Sequence, residues 1–103
     1  MIDHVVLNVK NVAASKAFYE KALAPLGMSA VMSFPDWEGF GEAGKPDFWL
    51  ARRDPNHTGV HVALRCTSRK QVDAFHAAAL KAGGTDHGKP GIREDYSPNY
   101  YAA

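Results

Sequence analysis

The stretch HVVLNVKNVAASKAFYEKALAPLG, residues 4–27, returns in altered form as HVALRCTSRKQVDAFHAAALKAGG at residues 61–84. A shift of 57 positions aligns His4 with His61, Val5 with Val62, Leu7 with Leu64 and Ala17 with Ala74. It also aligns Phe18 with Phe75, Ala22 with Ala79, Leu23 with Leu80 and Gly27 with Gly84. These are 8 identities in 24 pairs, where ordinary residue frequencies would supply about 2 by chance. Self-similarity of this kind describes how a fold is assembled. A strand–helix unit has been used twice, and each copy opens on a histidine.

Within the first copy, residues 2–9 alternate as a half-buried strand does. Val5, Leu7 and Val9 share one face, and His4, Val6 and Asn8 share the other. Asn11 is placed to cap a helix carrying Ala14, Phe18, Ala22 and Leu26 at helical spacing. Pro25 and Gly27 end it, because the first is excluded from helix interiors and the second accepts positive φ. Residues 28–34, 37–40 and 47–51 then read as a three-stranded meander, punctuated by Pro35-Asp36, residues 41–44 and Lys45-Pro46. Residues 52–59 join the halves. In the second copy, residues 60–66 are expected to form a strand, with Val62, Leu64 and Cys66 opposite His61, Ala63 and Arg65. Ser68 and Gln71 have capping-box spacing, and Val72, Phe75, Ala79 and Ala82 form a stripe that stops at Gly83-Gly84. Strand-like pieces are expected near residues 85–87, 91–94 and 100–103.

The chain of 103 residues has room for one domain and a modest core. We divide it into repeat one, about 1–57, and repeat two, about 58–103, the second lacking its last strand. A net charge of +1 with interleaved signs leaves no electrostatic footprint for nucleic acid. The single cysteine, Cys66, excludes an internal disulfide and is expected to be an inert buried thiol. There is no leader pattern and no apolar run long enough to cross a bilayer, so a cytoplasmic protein is expected. Phosphate-cradling, dinucleotide-binding and nucleophile-elbow motifs are absent, which removes nucleotide binding and acyl transfer from consideration.

The segments Ile2-Asp3-His4-Val5-Val6-Leu7-Asn8-Val9, Ala17-Phe18-Tyr19-Glu20-Lys21-Ala22-Leu23, Gly59-Val60-His61-Val62-Ala63-Leu64 and Tyr100-Tyr101-Ala102-Ala103 resemble the vicinal-oxygen-chelate superfamily. That superfamily includes glyoxalase I, extradiol dioxygenases and bleomycin-binding proteins. The resemblance implies an α+β fold of two βαβββ-like units forming a half-open barrel, here with the second unit incomplete. It implies that His4 and His61 are ligands of a divalent metal ion (Zn, Fe, Ni or Mn) that chelates vicinal oxygens of a small oxygen-rich substrate. The carboxylate ligand usual on the last strand of the second half has no counterpart in this sequence. Trp49 stands where the four-ligand glyoxalase I pattern has a glutamate.

Beside the metal positions, the alternation aims Trp49 into the cleft if Phe48 and Leu50 pack under the helices. It is then an apolar wall for a ligand, or else core or a subunit contact. Arg65 shares a face with His61 and is either an anchor for a substrate anion or one half of a surface ion pair. Asn8 and Tyr100 complete the candidate substrate contacts. The alternative to a metalloenzyme, a lyase, isomerase or dioxygenase, is a metal-free binding or sequestration protein of the bleomycin-resistance type. A homodimer is expected, because a missing strand leaves backbone groups and core uncovered.

Overall fold

A computed structural model describes all 103 residues. β1 (Val5–Val9) leads through α1 (Val12–Leu23) and a 3-10 turn (Ala24–Leu26) into β2 (Ser29–Phe34), β3 (Trp37–Glu42) and β4 (Lys45–Arg52). These four strands form one open sheet in the order β1-β4-β3-β2. β4 returns parallel to β1, with Val5 beside Phe48 and Leu7 beside Leu50. A parallel pair requires a long crossover, and α1 with the β2–β3 hairpin supplies it. The chain continues into α2 (Arg69–Lys81) and a short antiparallel pair, β5 (Gly91–Ile92) with β6 (Tyr101–Ala102). The architecture is α+β with an open sheet, in keeping with the half-open barrel expected.

Local chemistry sets the element ends much as the sequence predicts. The Ala14 N–H donates to the Asn11 side chain at 3.0 Å, capping α1. Pro25 lies within the 3-10 turn, and Gly27 closes that turn at φ 75° with its N–H on the Ala24 carbonyl. The Gln71 N–H donates to Ser68 Oγ at 3.2 Å, while Gln71 Oε1 accepts from the Thr67 N–H at 2.7 Å. The reciprocal bond therefore reaches one residue further back than a standard capping box. Gln71 Nε2 also donates to the Pro25 carbonyl, tying α2 to the turn after α1.

The core is Leu23, Leu26, Phe40, Phe48 and Leu50. Val5, Leu7 and Val9 pack against it, which confirms the facing of β1, and Tyr19 lays its ring between Phe40 and Phe48. Every buried residue lies between Ala22 and Ala51. α2 buries none of its side chains completely, although Phe75 reaches the edge of the core. The first unit therefore holds a complete sheet and the second does not.

One strand expectation is corrected here. Residues 60–66 form no strand and belong to no ladder, and no backbone-to-backbone hydrogen bond involves them. Leu64 and Cys66 still pack on the core as alternate residues of a strand would. Val62, the third residue expected on that face, is 38% exposed and outside the core, and no neighbouring strand meets the segment's edge. Residues 85–87 also form no strand, and the pieces near 91 and 101 are two residues each. No helix is long and apolar enough to cross a membrane.

Candidate functional site

Side chains that alternate with the core on β3 and β4 point away from the helices. Trp37 and Gly39 do so on β3, and Trp49 does so on β4. A bulge between Ala30 and Met32 turns the end of β2, so that Met32 pairs with Gly39 and Phe34 with Trp37 on this same face. The result is an aromatic platform. Phe34 and Trp49 lie almost parallel, 18° apart with ring centroids at 6.5 Å, and Trp37 meets Trp49 edge-on at 6.1 Å. The Arg53 guanidinium sits 4.5 Å from the Trp37 ring centroid. Gly39 makes room for the indole, since a Cβ there would stand 2.9 Å from Trp49 Cζ3 and Cη2. Phe34 is 57% exposed, so the platform opens to solvent.

Val6 and Asn8 border this platform, being the register partners of Trp49 and Ala51. The Asn8 N–H donates to His57 Nδ1 at 3.0 Å, and the His57 N–H donates back to the Asn8 carbonyl. The Asn8 amide also donates to the Pro55 carbonyl at 3.3 Å. Asn8 and His57 thus fasten the linker to β1.

Three other sequence candidates meet elsewhere. His61, Arg65 and Tyr100 line a groove of about 1380 Å³ between residues 60–66, α2 and the β5–β6 pair. Trp49, Asn8 and His4 are not among its lining residues. Cys66, expected to be buried, is only half-buried and lines this groove, and the burial it has pushes its thiol up. The Tyr101 hydroxyl donates to Asp73 at 2.6 Å, and that hydrogen bond raises its pKa. His76 is engaged with Asp86 at 3.1 Å.

His4 lies just ahead of β1, with its side chain 53% exposed, and its Nδ1–H donates to Asp3 Oδ1 at 2.9 Å. That bond, with Lys45 nearby, holds the Asp3 carboxyl below its ordinary range. Catalytic metal sites generally use three protein ligands with a further position open. No group of three or more His, Cys, Asp or Glu side chains is arranged here to hold a metal ion. His4 and His61 by themselves supply two donors, one fewer than a catalytic centre generally uses.

Sequence reasoning placed Trp49 on the open face but missed Phe34 and Arg53 as its company. The signal was present in Phe34-Pro35-Asp36-Trp37, a two-residue turn that sets Phe34 opposite Trp37. The bulge that makes this pairing face outward had no sequence mark.

Compared with known proteins, residues 1–97 match the family model described as the Glyoxalase/Bleomycin resistance protein/Dioxygenase superfamily. The chain belongs to this superfamily. Among solved structures, a glyoxalase/bleomycin resistance protein from Albidiferax ferrireducens T118 superposes with a TM-score of 0.78. The two are 26% identical, and the match covers 89% of this chain and 81% of that one. No curated protein matches the chain. Superfamily membership accounts for the doubled βαβββ plan and carries no information about which ligand the open face receives.

Proposed function

We propose that this chain is a small-molecule-binding member of the superfamily that holds a flat, largely apolar ligand bearing an anionic group. Trp49, Trp37 and Phe34 form the surface on which the ligand stacks, and Arg53 meets its anion. The observation that carries this reading is the near-parallel Phe34–Trp49 pair left open on the face opposite the helices. Contiguous exposed aromatics of this kind mark ligand or partner sites. The bleomycin-resistance name of the superfamily is in keeping with this binding role.

Both tryptophans of the chain are in the platform, so their emission reports directly on its occupancy. Titration with naphthoate, and separately with bleomycin, should quench that emission in a saturable way. Trp49→Ala should weaken binding about tenfold or more, the order of magnitude of a stacked aromatic together with its buried area. Saturable binding that the substitution leaves unchanged would remove the platform from the proposal.

A second reading is the metal-dependent one, with His4 and His61 as ligands of Zn, Fe, Ni or Mn. Its support is their equivalence in the two repeats and the Asp3 contact, which leaves His4 Nε2 free to act as a ligand. Metal analysis of the purified chain tests it: stoichiometric metal lost in His61→Ala favours the second reading over the first.

A further inference from the structure

We infer that His57 is an acid-released latch: its neutral ring holds the linker between the two units against β1, and its protonated ring lets the linker go. As a control on binding this rests on the reading of the aromatic face as a ligand site, because Arg53, the cation offered to the ligand, belongs to the same linker. The contact at Asn8 fixes the chemistry. The Asn8 N–H donates to His57 Nδ1 at 3.0 Å, so that nitrogen keeps its lone pair and the ring proton lies on Nε2. A proton added to Nδ1 sets hydrogen against hydrogen, and the bond is lost.

Little else holds the linker. Every hydrogen bond that residues 53–59 make to the rest of the chain ends on Asn8. Besides the bond to Nδ1, the His57 N–H donates to the Asn8 carbonyl at 3.0 Å and the Asn8 amide donates to the Pro55 carbonyl at 3.3 Å. The segment is exposed except at Asn56, which is half-buried. Asn56 Oδ1 is sealed from solvent with no hydrogen-bond partner, a cost of the fastened form that release into water removes. Fastened and released forms are thereby brought close in free energy, and one hydrogen bond suffices to choose between them.

No neighbouring charge opposes the switch. His57 is exposed, and no carboxylate lies within ion-pair distance of its ring. Lys10, just past the end of β1, and Asp54, on the linker itself, are in no ion pair. Arg52 is paired with Asp36, and Arg53 lies over the Trp37 ring. A protonated His57 therefore gains no partner in place of the bond it loses. The released form takes up the extra proton and the fastened form does not, so fastening is lost as pH falls.

Amide hydrogen exchange at Asn8, taken as protection over the intrinsic rate and referred to Leu50 inside the sheet, reads the latch directly. Protection at Asn8 should fall about fivefold from about pH 8 to about pH 5, the scale of one net hydrogen bond, while Leu50 holds. His57→Asn keeps an acceptor where Nδ1 stands but cannot take a proton, so its Asn8 protection should not change with pH. His57→Phe keeps the ring without the acceptor, and its Asn8 protection should be low throughout. At about pH 8, naphthoate should bind His57→Phe about threefold more weakly than the parent, the scale of one exposed ion pair. Undiminished Asn8 protection in acid, or an equal loss in His57→Asn, overturns the latch. Equal naphthoate affinity of parent and His57→Phe overturns its control of the ligand site. If neither binds naphthoate, the reading of the platform fails instead, and the Asn8 amide still decides the latch.

Discussion

Glu38 is the one charged side chain withdrawn from solvent, 4% exposed on the helix side of β3. Ser33 Oγ donates to its Oε1 at 2.6 Å, and Lys16 Nζ on α1 lies 3.4 Å away. A buried carboxylate without such partners is unfavourable, and removing one partner strands the other. Lys16→Met should therefore lower stability by about 1–3 kcal/mol, read from urea unfolding; the lower end reflects the partial exposure of Lys16. Adding Glu38→Gln to that variant should recover part of the loss, because no charge is then left buried; a double-mutant cycle with no coupling would contradict this account. Glu38 was not legible in the sequence as a buried residue. Glu38-Gly39-Phe40 shows its alternation, but only the arrival of Lys16 from another element makes burial tolerable. His4 and His61 were legible as equivalent positions, because duplication is written in the chain. Their surroundings were not, since Asp3 is a neighbour in sequence whereas the groove around His61 is assembled from residues far apart.

At the scale of elements, the β3–β4 hairpin is the most tightly specified part of the molecule. A Cβ at Gly41 would lie 1.8 Å from the Lys45 carbonyl oxygen, beside the register shift between Phe40 and Gly41. Backbone cannot yield there as a flexible side chain would. Gly41→Ala should thus destabilise by about 3 kcal/mol or more. Gly44 is the comparison: its φ is 77° but nothing lies within 4 Å of an added Cβ. Gly44→Ala should be milder, about 1–2 kcal/mol, from left-handed backbone alone. Thermal or chemical denaturation of the two variants decides the order. The hairpin and both helices were predictable because their signals are local: caps, turn residues and periodicity act over a few positions. The bulge after Ala30 was not, because it is fixed by what the strand packs against on either face.

At the scale of the whole molecule, the two copies of one unit have different fates. All complete burial is in the first, around a four-stranded sheet, while α2 of the second lies against α1 and the turn at residues 24–26 with its stripe only partly covered. Amide hydrogen exchange should report this asymmetry. Residues 5–9 should be protected and residues 60–66 should exchange close to the unstructured rate, although the two segments are related by sequence. Equal protection would mean that the second edge has found a partner. The sequence by itself determined the doubled strand–helix plan, the face each apolar residue turns inward and the ends of the helices, because these depend on period and on neighbours along the chain. Only the tertiary structure decided which strands are paired at their edges, that Phe34, Trp37 and Trp49 share a platform, and that His61 opens on a groove. Alternation specifies the faces of a strand; edge pairing is a contact between distant segments, and nothing local encodes whether the partner is there.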